Sequence, residues 1–188
     1  ADDTTKGTLL SDGQPITTGG TYSLSGPYTK AIKINTSESV IINIADGDVV
    51  SFKPDKDAET NVLLDVTNSD LTVNNHGVYN GPTFLCTSTD NAKVTIHGGR
   101  YNIESQPRVT PCAFAFDAGG SDENPIVVDG VHIEAGADCT GIDAGDLVHA
   151  PKVMIKNSTI NVLGTEYGGE GAINLEGSKT SVKLENVT

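Results

Sequence analysis

The strongest constraint on this chain is a phrase of alternating apolar residues that recurs along it and ends on asparagine or glycine each time. Leu71-x-Val73-x-Asn75-x-x-Val78, Val94-x-Ile96-x-Gly98-x-x-Tyr101, Ile126-x-Val128-x-Gly130-x-x-Ile133 and Val153-x-Ile155-x-Asn157-x-x-Ile160 share one register, and Val182-x-Leu184-x-Asn186 begins a further copy. Period-two alternation puts the apolar residues of each copy on one face of a strand. Asn and Gly tolerate left-handed backbone angles, so the same tight bend is predicted in every copy. Self-similarity at solenoid-type spacings, roughly 20–50 residues, assigns one coil to each copy.

A second phrase precedes each of these across a polar connection. Its copies are Ile32-Lys33-Ile34, Leu64-Asp65-Val66, Phe84-Leu85-Cys86, Phe116-Asp117-Ala118, Ile142-Asp143-Ala144 and Ile173-Asn174-Leu175. A third strand follows the bend, as in Gly77-Val78-Tyr79 and Thr159-Ile160-Asn161-Val162. Strands of successive coils then stack in parallel at about 4.8 Å, with equivalent side chains above one another. The expected fold is all-β, a right-handed parallel β-helix of about six three-stranded coils. Residues 1–26 are read as an N-terminal segment and cap, and 27–188 as the helix. Val182–Thr188 stop just past the bend of an unfinished coil. The expectation is a helix that continues in a longer parent protein, with end-to-end self-association as the alternative.

Three-stranded coils with an Asn/Gly bend between the second and third strands resemble the β-helix of the pectin-lyase-like superfamily, over roughly residues 27–188. Gly20-Thr21-Tyr22-Ser23-Leu24-Ser25-Gly26, leading into Ile/Val segments, looks like the opening of bacterial secreted carbohydrate-binding β-helix proteins. The resemblance implies an extracellular protein that meets polysaccharide. Pectate lyases of this fold pair calcium-binding acids with an Arg or Lys base, and polygalacturonases carry Gly-His-Gly and Arg-x-Lys. Neither of the latter two motifs occurs in this sequence.

Twelve Lys plus Arg stand against 25 Asp plus Glu, a net charge of −13 that disfavours nucleic acid and anionic membranes as partners. No apolar run of membrane-spanning length occurs, so no membrane insertion is expected. The polar start without Met, the absence of Trp and the wealth of Thr, Ser, Asn and Gly fit a secreted or surface-displayed protein. Cys86 is read as a small buried hydrophobe. Cys112 and Cys139 open adjacent coils, which makes them a disulfide candidate in an oxidising compartment.

The chemistry-bearing residues gather on the outer face of the first strands. There the spacing predicts one column of Lys33, Asp65, Leu85, Asp117, Asp143 and Asn174, with Asp117 directly above Asp143. Stacked carboxylates share a proton or hold a cation such as Ca²⁺, and they also serve as turn-forming acceptors for backbone amides. Thr83, Ala115, Gly141 and Ala172 are expected to leave a shallow trough alongside. A polysaccharide lying there would be bound by Asp117, Asp143 and Asn174, with Arg108 and Tyr167 reaching in from loops, Tyr167 by stacking on a sugar ring. On the third strands, Arg100 and His132 form one column, and Tyr79, Asn102, Glu134 and Asn161 the next. The reading that follows is non-catalytic binding of polysaccharide or of a glycan-bearing host or cell surface. The alternative is a calcium-dependent polysaccharide lyase using Asp117 and Asp143 for the metal and Arg108 or a Lys as base.

Overall fold

Every regular element that the chain forms among its described residues is a strand, and the strands stack in three parallel ladders. The computed structural model describes residues 7–55, 61–107, 109–163 and 171–188. The second ladder contains Lys93–His97, Ile126–Asp129, the first half of Lys152–Val162 and Ser181–Val187. Its register is Leu71–Val94, Ile126–Val153 and Val153–Val182, as the repeated phrase requires. The third ladder stacks Gly26–Tyr28, Val49–Phe52, Val78–Gly81, Arg100–Ile103, His132–Ala135 and the end of Lys152–Val162.

The first ladder is built from the opening halves of Ile32–Ile44 and Val62–Asn75, then Thr83–Thr87, Cys112–Phe116, Thr140–Ala144 and Ile173–Leu175. Six strands in the first ladder and six in the third give the parallel β-helix of about six coils. Parallel pairing is already present nearer the N-terminus, where Thr8 lies opposite Tyr22 and Gly20 opposite Val40.

The bends follow the chemistry of their residues. Gly98, Gly130, Asn157 and Asn186 adopt φ of 69°, 70°, 51° and 53°, the left-handed region that most side chains avoid. Asn75 differs: it continues its strand opposite Ile44, and its Oδ1 accepts the Gly77 N–H at 2.8 Å. That longer bend moves the following strand by one residue. Tyr79, not Val78, therefore stacks on Tyr101.

The interior is a column of equivalent apolar side chains. Ile32, Leu64, Leu85, Phe114 and Ile142 are fully buried in the first ladder, and Tyr79, Tyr101 and Ile133 in the third. Each such burial contributes roughly 1.5–3 kcal/mol. Midway along the stack the aromatic rings meet edge to face, Tyr79 on Phe84 and Tyr101 on Phe114, both with centroids 4.9 Å apart. This geometry adds about 0.5–1.5 kcal/mol per pair beyond area. With coils held this way, the outward residues of each ladder form fixed columns.

Candidate functional site: the outer face of the first ladder

The outward column of the first ladder runs Lys33, Asp65, Cys86, Ala115, Asp143, Asn174. Lys33, Asp65, Asp143 and Asn174 therefore stand where their spacing predicts. Asp117 does not: the residue opposite Asp143 is Ala115, and Asp117 lies two positions further along the same strand direction. Leu85 is likewise replaced in the column by Cys86, because Leu85 faces the core between Leu64 and Phe114. Cys86 is thus on the outer face and half-buried, contrary to the expectation of an inward thiol.

The slip has a physical cause. Thr87 occupies an inward position, and its hydroxyl donates to the Ala118 carbonyl at 2.5 Å, so a buried polar residue stands where the pattern calls for an apolar one. Phe84, Leu85, Ala113 and Phe114 are all fully buried, which removes the period-two alternation that sets register.

The expected trough of small residues is also corrected. Ala115 belongs to the Asp143 column. A Cβ on Gly141 would lie 2.4 Å from both Ile160 Cγ2 and the Ala172 carbonyl oxygen, so the missing side chain makes room for core packing rather than for a ligand. Thr83 is buried, and its hydroxyl accepts the Cys112 N–H at 3.2 Å.

What the face does assemble is a group of half-buried acids. Asn174 Nδ2 donates to Asp143 Oδ1 at 3.0 Å, and Cys86 Sγ donates to Asp117 Oδ2 at 3.5 Å. Burial raises the pKa of both carboxyls above the usual Asp value. The Asp146 and Glu176 carboxylates push Asp117 further in that direction, and Glu176 and Asp117 do the same for Asp143. Burial, and then the Asp117 carboxylate, drive the Cys86 thiol far up as well, so it is a neutral donor.

Beyond the end of the strand, Asp146 Oδ1 accepts the Val148 and His149 amides at 2.6 and 2.5 Å, an Asx turn. Its Oδ2 meets His149 Nδ1 at 2.9 Å. The backbone His149 amide, followed by its ring, holds the Asp146 carboxyl down to about 2, and the same ring contact raises the His149 pKa. At the tip, Leu147 and Val148 are 95% and 82% exposed. Asp146, His149 and Glu176 are members of this site that spacing alone did not single out. The Asp146-x-x-His149 spacing is the sequence signal that could have found the first two; Glu176 had none.

Of the remaining candidates, Arg108 and Tyr167 lie outside the described residues. Cys112 pairs in register with Thr140, the residue after Cys139, and the two cysteines are not joined by a disulfide in the structure. Burial pushes the Cys112 thiol up to about 12. Among the described residues, no three His, Cys, Asp or Glu side chains are grouped to hold a metal ion.

The third ladder carries a second polar array. Arg100 stacks on His132 as expected, and Asn80, Asn102, Glu134 and Asn161 form the next column, with Tyr79 in the core instead. Glu134 Oε1 is met by His132 Nε2 at 2.6 Å and by Asn161 Nδ2 at 3.0 Å. The side chains there satisfy one another on an exposed sheet. The chain matches no family model, no curated protein and no solved structure.

Proposed function

We propose that this protein is an extracellular or surface-bound β-helix of pectin-lyase-like kind that binds polysaccharide, or a glycan on a cell surface, along the outer face of its first ladder. The observation that carries the reading is the Asp143–Asn174 pair, a half-buried carboxylate and amide locked together at 3.0 Å beside Asp117. A carboxylate held by one amide keeps acceptor sites for sugar hydroxyls, and the amide keeps a donor. Both groups are already partly desolvated, so less hydration is lost when a ligand covers them. Coil spacing of about 4.8 Å lets an extended ligand meet equivalent positions in successive coils. Arg108 and Tyr167, which lie outside the described residues, are kept as sequence-based candidates for the same ligand.

The test is a glycan array followed by calorimetry on the best ligand. Asp143→Ala and Asn174→Ala are expected to weaken binding at least tenfold, about 1.4 kcal/mol. Unchanged affinity in both variants would move the site off this face.

The second reading, a Ca²⁺-dependent polysaccharide lyase, draws its support only from the mutual electrostatic repulsion of Asp117 and Asp143 with Glu176, since among the described residues these side chains are not grouped as a ready-made metal site. Polygalacturonate incubated with Ca²⁺ separates the two readings. Unsaturated product that disappears in Asp117→Ala would replace binding by catalysis as the function.

A further inference from the structure

At the corner where first strands turn into second strands, four successive coils enclose an open cleft of about 390 Å³. That is the size range of small-molecule sites, roughly 300–1,000 Å³. Its walls are Asn68 and Asp70 from one coil, Asp90, Asn91 and Lys93 from the next, and Asn124 from the one after. With Ser37 of the preceding coil at its far end, the cleft runs along the helix axis for roughly 14 Å, three coil spacings.

The floor is preformed. Ser69 is 3% exposed, and its Oγ accepts the Thr36 N–H at 3.4 Å. Ala92 is fully buried, donates to the Thr89 carbonyl at 3.0 Å and accepts the Gly120 N–H at 3.3 Å. Gly120 has φ of +71°, and a Cβ there would lie 2.4 Å from the Lys152 carbonyl oxygen, so this close approach of backbones needs glycine. The outer wall is closed by reciprocal bonds: Ser121 N–H to the Asn124 carbonyl at 2.9 Å, and Asn124 N–H to Ser121 Oγ at 3.0 Å.

The lining defines the ligand class. Among the described residues it is hydroxyl, amide, carboxylate and ammonium, with neither an aromatic nor a large aliphatic side chain. A nucleobase has no surface to stack on, and an acyl chain has none to bury against. A ligand that carries donors and acceptors all round fits instead, which is the chemistry of a sugar. Asp70 and Asp90 outnumber Lys93, so a polyanionic glycan is repelled while a neutral or amino-substituted one is favoured.

We propose that this cleft is a second saccharide site, built from side chains other than those of the first-ladder face, and that it takes a short segment of neutral or amino-substituted oligosaccharide. It rests on the glycan-binding reading of the molecule, though not on the Asp143 site.

The test is amide chemical-shift mapping on the whole chain, titrated separately with cellotriose, deacetylated chitotriose and trigalacturonate. The expected result is saturable shifts at Asp70, Asn91 and Asn124 with the first two probes and none there with the third. Asp90→Ala and Asp70→Ala, each checked for an unchanged spectrum elsewhere, should weaken that binding at least tenfold, and Asp143→Ala should leave it intact. Shifts confined to the Asp143 and Asn174 amides would overturn the cleft and keep the glycan reading. Cleft shifts with trigalacturonate alone would overturn the assigned ligand class. No cleft shift with any probe at millimolar concentration would overturn the site, whereas the glycan array decides the broader reading independently.

Discussion

Asp143 is held by two opposed influences, since burial and the neighbouring Glu176 and Asp117 carboxylates raise its pKa while the Asn174 amide lowers it, with a net rise. The folded protein therefore binds this proton, and that of Asp117, more tightly than the unfolded chain does. Both groups lower stability as pH rises through the carboxylate range. Asp146, Asp129 and Glu134 act in the opposite sense: their folded pKa values are depressed, so their contribution is full at neutral pH and is lost as pH falls toward those values. Asp143→Asn removes a raised carboxyl without changing shape. It is expected to raise the urea midpoint at neutral pH, with the gap to wild type closing by about pH 3, below the usual Asp value. A gap that stays constant with pH would show that Asp143 is not the source. The bends are the other residue-scale device. Asn157 Nδ2 donates to Asp129 Oδ1 at 2.9 Å, and Asn186 Nδ2 donates to Asn157 Oδ1 at 3.1 Å, so an Asn at a left-handed position also ties one coil to the next.

Within the ladders, Phe114 joins two successive coils, meeting Phe84 and Tyr101 of the preceding one and Phe116 of its own strand. Phe114→Ala is expected to cost about 3–5 kcal/mol. Urea unfolding followed by circular dichroism reads the loss. A cost under about 1 kcal/mol, the range of exposed positions, would place the ring outside the core. This same region marks the limit of what the amino-acid pattern reveals. The second ladder is legible from Leu71 onward, because its strands up to Lys152–Val162 alternate one buried face with one more exposed face, and Leu71, Val94, Ile126, Val153 and Val182 align as spelled. The first ladder is legible at Ile32, Leu64, Ile142 and Ile173 but not between Thr83 and Phe116. There both faces of the strand are covered, aromatic residues fill adjacent positions, and Thr87 takes an inward place by bonding a carbonyl. Apolar content stops reporting direction under those conditions. The two-residue slip carries Asp117 out of the column, and half of the candidate pair goes with it. The cleft at Asp70 and Asp90 was not legible either, since it forms from turns whose approach depends on backbone path.

At the scale of the molecule, a stack of coils turns local repetition into long outward columns, and a net charge of −13 spreads over them. The polar columns of the first and third ladders and the corner cleft all follow from which residue lies above which. Vertical register is therefore the claim on which the site depends, and a cross-link reads it directly. Cys86 lies opposite Ala115 in the adjacent coil, and neighbouring strands at about 4.8 Å bring paired Cα atoms within the 4.4–6.8 Å span of a disulfide. Mild oxidation of Ala115→Cys, followed by peptide mapping, is predicted to give an intramolecular bond between Cys86 and the introduced thiol in most of the protein. If that variant stays reduced while Ala118→Cys links to Cys86 in its place, the coils are stacked in a different register and the first-ladder site described above does not exist.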